Sequence, residues 1–272
     1  MSDTPARTPS APEDEPEGLP FVAPCQSLPV TAPLGWVRLG WQDLKRAPKQ
    51  SLSYGLAMTA LSWLIAFIAL YFGSLTLFLG LLSGFIFVGP AFAIGLYSIS
   101  CQLQLGRTPQ LGYCLREGRR NIGNELVFAM ILTVVCLVWA RAASMVHIFF
   151  PSTANPELGD LIVFLGVGSV VGSLFAAIIF AASAFSLPMI LDRKADMVTA
   201  VITSVNAVLR NKSAMGLWAG IIVGTLLVGI MTGFLAFPVL LPIIGHATWH
   251  AYRQTINASD WPSNISAPEA RT

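Results

Sequence analysis

Long apolar runs separated by short polar segments dominate the chain from residue 54 onward. They predict helices, because they continue far past strand length without a two-residue alternation. Six runs reach the roughly 20 residues that a helix needs to cross a hydrocarbon core. They cover about 54 to 72, 75 to 98, 126 to 148, 161 to 190, 214 to 233 and 235 to 252. The fourth is overlong, which predicts a tilted helix or one that continues beyond the bilayer.

Between the runs a second pattern recurs. In GWVRLGWQDLKRAP, positions Val37, Trp41 and Leu44 share one helical face while Arg38, Lys45 and Arg46 lie elsewhere. Leu111, Leu115 and Ile122 repeat the design beside Arg116, Arg119 and Arg120, and Val198, Ile202, Val205 and Leu209 repeat it ahead of Arg210 and Lys212. Helices of this kind lie in the interface, with apolar positions in acyl chains and basic positions at anionic headgroups. The predicted fold is an all-α integral membrane protein, six transmembrane helices arranged as three hairpins, each preceded by an amphipathic interfacial helix. The hairpins span about 54 to 98, 126 to 190 and 214 to 252 within a membrane domain of residues 34 to 254.

Composition agrees with this pattern: 54% of residues are hydrophobic and 11% charged, against roughly 25% charged in a soluble domain. Residues 1 to 33 hold eight prolines and the acidic run EDEPE, with little to bury, and are expected to be a disordered cytoplasmic tail. Residues 255 to 272 form a second cytoplasmic tail. The opening is polar and acidic, without a signal peptide's short apolar core and cleavage site, so the first span is expected to remain as an anchor.

Charge placement sets orientation. GS at 73 and 74, PSTANPELGD at 151 to 160 and the turn near Phe234 carry no Lys or Arg. The opposite side carries Arg38, Lys45, Arg46, Lys49, Arg107, Arg116, Arg119, Arg120, Arg193, Lys194, Arg210, Lys212 and Arg253. The positive-inside rule therefore places both termini in the cytoplasm. The exception is Arg141, about 22 Å into the third span, where it can snorkel to the far boundary and pair with Asp160 or Glu157. A contact to an anionic substrate is the functional alternative for it.

Three spans carry a proline toward their cytoplasmic half, at Pro90, Pro188 and Pro242. Seven residues beyond the first and last of these stand Tyr97 and Trp249, aromatic residues expected at the headgroup level. Glycines at four-residue spacing (Gly80 and Gly84; Gly168 and Gly172; Gly216, Gly220 and Gly224; Gly229 and Gly233) predict close helix packing. Cys25, Cys101, Cys114 and Cys136 show no paired spacing, which argues against a disulfide framework.

The stretches LGWQDLKRAPKQSLSYGL, GPAFAIGLYSIS, FSLPMILDRKADMVTAVITSVNAVLRNKSAMGLWAG and IGHATWHAYR resemble a family of predicted bacterial integral membrane proteins, domain of unknown function 2189. The resemblance runs over about residues 34 to 254 and is most specific from LPMILDR to NAVLRNK. It implies a bacterial inner-membrane protein and supplies no catalytic residues. Some members are labelled as oxidase-related, but three histidines are too few for a haem-copper ligand set.

The chemistry-bearing candidates are few. His246 and His250 in HATWHAY share a helical face at a spacing that can ligate metal or haem. A third ligand is lacking nearby, and His147 belongs at the opposite face, so the pair is expected to be interfacial and replaceable by alanine with little loss. Asp196 is placed to cap the third interfacial helix. Walker, GxSxG and paired intramembrane carboxylate patterns are not found in the sequence. The resulting expectation is a non-enzymatic scaffold, assembly or lipid-contacting component, without a cofactor. Its partners would be anionic membrane lipids and other membrane proteins rather than nucleic acid. The alternatives are a small-solute transporter or channel and a metal- or haem-binding accessory protein of a respiratory complex.

Overall fold

A computed structural model describes residues 20–72, 92–114, 122–149 and 158–264. In chain order its helices of seven or more described residues are α1 (Ala32–Arg46), α2 (Pro48–Phe72), α3 (residues 92–104), α4 (Ile122–Phe149), α5 (Leu158–Ser183), α6 (Ser186–Asp192), α7 (Met197–Arg210), α8 (Lys212–Met231) and α9 (Phe237–Thr255). Among the described residues the extended pairing is limited to two isolated bridges, Cys25 with Ile256 and Arg193 with Ser263.

Four helical stretches are long and apolar enough to cross a membrane: Pro48–Ile68, Ile122–Ala142, Ile162–Asp192 and Lys212–Met231. Their outward surfaces carry side chains such as Phe67, Val170, Leu174 and Ile230, each more than half exposed. A soluble protein does not present apolar surface on this scale, whereas hydrocarbon accepts it at no cost. Most of the second predicted span lies outside the described residues.

The overlong fourth run is resolved by a break. α5 ends at Ser183, and the chain turns before α6 begins at Ser186. Pro188 has no N–H with which to continue the ladder. Ser204 of α7 supplies the local replacement: its Oγ accepts from Phe185 N–H at 3.0 Å and donates to the Ala181 carbonyl at 2.7 Å. All seven residues of α6 are buried. The run is therefore one spanning helix followed by a short core helix.

The core sits at one end of the molecule, where α1, α3, α6, α7 and α9 meet. Trp36, Phe185, Met189, Trp218, Trp249, Tyr252 and Trp261 are buried together there. Trp36 meets Trp218 edge to face with ring centroids 5.6 Å apart, an arrangement the ring quadrupoles favour. The expectation for α1 is corrected by this packing. Its inner face is Trp36, Gly40, Asp43 and Leu44, while Trp41 faces outward with Lys45 Nζ 5.3 Å from its ring centroid. The sequence placed Trp41 with Leu44 because it weighed apolarity alone; the helix needs glycine at the crossing and uses the neighbouring tryptophan.

Parts of both predicted tails belong to the folded body. Residues 20 to 31 are held by the body: Ala23 N–H donates to Thr203 Oγ1 at 3.1 Å, Leu28 N–H to Asn211 Oδ1 at 2.8 Å, and Asn211 Nδ2 to the Gln26 carbonyl at 3.0 Å. At the other end Trp261 is buried, and Asn264 N–H donates to the Asp192 carbonyl at 2.9 Å. Specific backbone hydrogen bonds order these segments, which a composition rule does not detect. Residues 1 to 19 and 265 to 272 lie outside the described residues. Cys25, Cys101, Cys114 and Cys136 form no disulfide with one another.

Of the spaced glycines, Gly229 is in close contact, because a Cβ there would overlap the Phe237 ring of α9. A Cβ added at Gly168, Gly172, Gly216, Gly220 or Gly224 would meet nothing within 4 Å, so these positions form no close helix crossing among the described residues. Gly40, Gly55, Gly95 and Gly245 do. Four-residue spacing marks a smooth helix face, but a neighbour must exist for it to matter. Gly80 and Gly84 lie outside the described residues.

Candidate functional site

The site is built on α9. Ala236 precedes it, and Pro238 stands in its first turn, where a missing N–H costs nothing. Pro242 lies inside the helix and leaves the Pro238 carbonyl without its usual donor. Gly55 of α2 faces that freed carbonyl so closely that any Cβ would overlap it. One turn further, Gly40 of α1 gives a second crossing, where a Cβ would stand 2.5 Å from the Ile243 carbonyl oxygen and 2.9 Å from Ala247 N. Trp36 donates through Nε1 to Gln254 Oε1 at 2.5 Å, and this contact, with the Gly40 crossing, makes α1 and α9 antiparallel. α3 runs parallel to α9, as the contacts of Leu96 with Gly245, Ser100 with His246 and Gln104 with Trp249 require.

These neighbours close over the polar residues of HATWHAY. His246 is fully buried, with Nε2 2.9 Å from Ser51 Oγ of α2 and Nδ1 2.8 Å from Ser100 Oγ of α3. A neutral imidazole has one donor and one acceptor nitrogen, and a hydroxyl serves either. His250 Nε2 lies 2.7 Å from Oδ2 of buried Asp43 on α1, and its Nδ1 lies 3.3 Å from Gln104 Nε2. Gln104 Oε1 in turn accepts from Trp249 Nε1 at 3.0 Å. The order Trp249, Gln104, His250, Asp43 thus joins α1, α3 and α9 through one line of hydrogen bonds.

A second polar centre lies at the end of α9. Asp192 Oδ2 accepts from Tyr252 Oη at 2.8 Å, Arg253 Nη1 at 2.9 Å and Arg193 Nε at 3.2 Å. Arg193 also donates to the Trp261 carbonyl at 3.0 Å, which fixes the C-terminal segment. Three donors on one oxygen satisfy a buried carboxylate well.

The expectation for the histidines is therefore corrected. His246 is a core residue and His250 is partly buried, and Trp249 and Tyr252 are covered by protein as well. Each imidazole has both ring nitrogens engaged by protein, so a metal or haem iron would have to displace an existing partner. Among the described residues no group of three or more His, Cys, Asp or Glu side chains could hold a metal ion.

The other predicted positions are dispersed. Arg141 is exposed and stands at the last turn of the apolar stretch Ile122–Ala142, where a snorkelling residue belongs. The side chains of Asp160, Glu157 and His147 lie outside the described residues, as do Arg116, Arg119 and Arg120. Arg210 and Lys212 are exposed at the end of α7 and the start of α8. Asp196 does cap α7, with Oδ1 accepting from Thr199 N–H at 2.9 Å and Oδ2 from Thr199 Oγ1 at 2.7 Å. These hydrogen bonds hold its carboxyl below the usual range. A cap of this kind contributes about 1 kcal/mol.

Sequence reasoning missed Asp43, Ser51, Ser100 and Gln104. Only Asp43 carried a signal: it is the one acid in an otherwise basic amphipathic segment. It also missed Glu125, a buried carboxyl in the first turn of α4 whose Oε1 has no hydrogen-bond partner among the described residues.

No curated protein and no solved structure matches the chain. The resemblance seen in the sequence is met over a shorter stretch than residues 34 to 254, and the site on α9 falls outside it. Residues 77–192 match the model of the family described as predicted integral membrane protein (DUF2189).

Proposed function

We propose that the protein is a non-enzymatic, multi-pass component of a bacterial inner membrane whose short amphipathic helices rest on anionic lipid at the cytoplasmic face. The observation that carries this reading is the polarity of α7. Its inner face is small or polar, with Ala200, Thr203, Ser204 and Ala207 buried, while Val198 and Leu209 are more than half exposed. An apolar stripe turned away from the protein, between the end of one spanning stretch at Asp192 and the start of another at Lys212, suits acyl chains. Arg210 and Lys212 stand at the headgroup end of the same helix. The full reading has six spans in three hairpins, with α9 as the last and both termini cytoplasmic. The parallel course of α3 and α9 supports it, because each is the returning arm of its proposed hairpin.

Lipid retention tests the function. Each basic residue near an anionic surface is worth about 1 kcal/mol, so Arg210→Gln with Lys212→Gln should weaken retention of phosphatidylglycerol or cardiolipin on the order of tenfold. Arg116→Gln, Arg119→Gln and Arg120→Gln should act in the same direction. Mass spectrometry of lipid co-purified in mild detergent reads the result, and unchanged lipid would leave these residues with orientation alone. For the topology, alkaline phosphatase fused near Asn155 should be active and the same enzyme fused after Thr272 inactive. The reverse pattern would end the orientation argument.

A further inference from the structure

We infer that Gln104 is the pivot of a protonation-dependent switch that trades its bond to Trp249 for a stronger bond to His250. The inference follows from counting donors and acceptors. Trp249 Nε1 can only donate, and it is buried, so it needs the Gln104 oxygen. That fixes the Gln104 amide with its NH2 toward His250 Nδ1, which must then be the acceptor nitrogen. The proton of neutral His250 consequently sits on Nε2, pointing at the Asp43 carboxylate. Every group in the line is satisfied while His250 is neutral.

Protonation breaks this agreement at one place only. His250 would then carry an N–H on Nδ1, facing the NH2 of Gln104, while the bond from Nε2 to Asp43 becomes a full ion pair. Gln104 can turn its oxygen to His250, but Trp249 Nε1 then faces the amide NH2 with no acceptor. Turned in this way, the Gln104 oxygen serves the imidazolium, so the protonated state strengthens the bonds of His250 to Asp43 and Gln104 and leaves the Trp249 indole without its acceptor.

The surrounding charges leave this choice to His250. From α1 comes Asp43, and Arg38, Lys45 and Arg46 of that helix are exposed. α3 carries no charged residue. α2 and α8 each bring one, Lys49 and Lys212, both exposed at their first turns. α6 brings Asp192, already taken by Tyr252 and Arg253 of α9. On α9 itself His246 lies one turn back, hydrogen-bonded to Ser51 and Ser100.

The test is the indole 15N–H resonance of Trp249 in the full chain in lipid nanodiscs, assigned by its disappearance in Trp249→Phe. It is followed over the range in which histidines ordinarily change charge, about pH 5 to 8. The signal is expected to move on acidification as the bond to Gln104 is lost. His250→Gln, which offers Asp43 a donor and Gln104 an acceptor at every pH, should abolish the movement. Gln104→Glu, whose carboxylate accepts from both neighbours, should hold the indole bonded throughout. A wild-type signal that stays fixed, or a movement that survives in His250→Gln, overturns the switch. If His250→Gln does not fold, Gln104→Glu decides, because a titration equal to that of the wild type also overturns it.

Discussion

Gly55→Leu is expected to prevent formation of the folded bundle, because the new side chain would begin inside the Pro238 carbonyl. Atoms of a flexible side chain could move aside. A backbone carbonyl on a proline-fixed turn of α9 cannot, so α2 and α9 must separate. Overpacking typically costs 1–3 kcal/mol, and about 3 kcal/mol or more is expected where the obstacle is backbone. Thermal unfolding in detergent, followed with the monodispersity of the purified protein, measures it. Gly220→Leu supplies the contrast, since that position is open on the surface of α8 and substitution should stay within about 0.5 kcal/mol of the wild type. Equal losses in the two variants would show that contact with α9 is not what selects glycine at residue 55.

The second large effect is expected at His250. His250→Ala removes the donor to Asp43 and leaves a carboxylate that is 3% exposed facing no partner. Stranding one member of a buried polar pair costs about 3 kcal/mol, whereas replacing both members by apolar side chains is often nearly neutral. Asp43→Leu combined with His250→Leu should therefore be more stable than His250→Ala, and the double-mutant cycle should show coupling of about 1 kcal/mol or more. The sequence alone predicts the opposite, that both histidines can be replaced cheaply. A double variant no more stable than His250→Ala would remove the buried pair as the explanation.

The reason for that reversal lies in what a sequence can express. The presence of long apolar helices and the cap at Asp196 are local properties, governed by hydrogen bonds a few residues long, and they were legible, whereas the break between α5 and α6 was not, because it depends on Ser204 from another helix. The burial of HATWHAY was not, because it depends on partners at Asp43, Ser51, Ser100 and Gln104 that are distant in sequence and of ordinary residue types. A helix end rich in His, Trp and Tyr reads as interfacial until a neighbouring helix is known to cover it. Glycine spacing pointed to Gly229 but not to Gly40, Gly55 and Gly245, which are isolated in sequence and matter because each meets α9 or α3 at a crossing.

The stitching of the two chain ends carries a consequence for biogenesis. Gln26 N–H donates to the Thr255 carbonyl and Asn257 N–H to the Pro24 carbonyl, while Trp36 bonds Gln254 across 218 residues. A chain made from the N-terminus and inserted helix by helix must hold residues 24 to 46 open until α9 has left the ribosome. Closure of so long a loop comes late and costs entropy that local helix formation does not. The buried faces of Trp36, Gly40 and Asp43 are thus exposed throughout synthesis. Truncation before α9 would leave them permanently uncovered, a signal of incompleteness legible to quality-control proteases at the membrane.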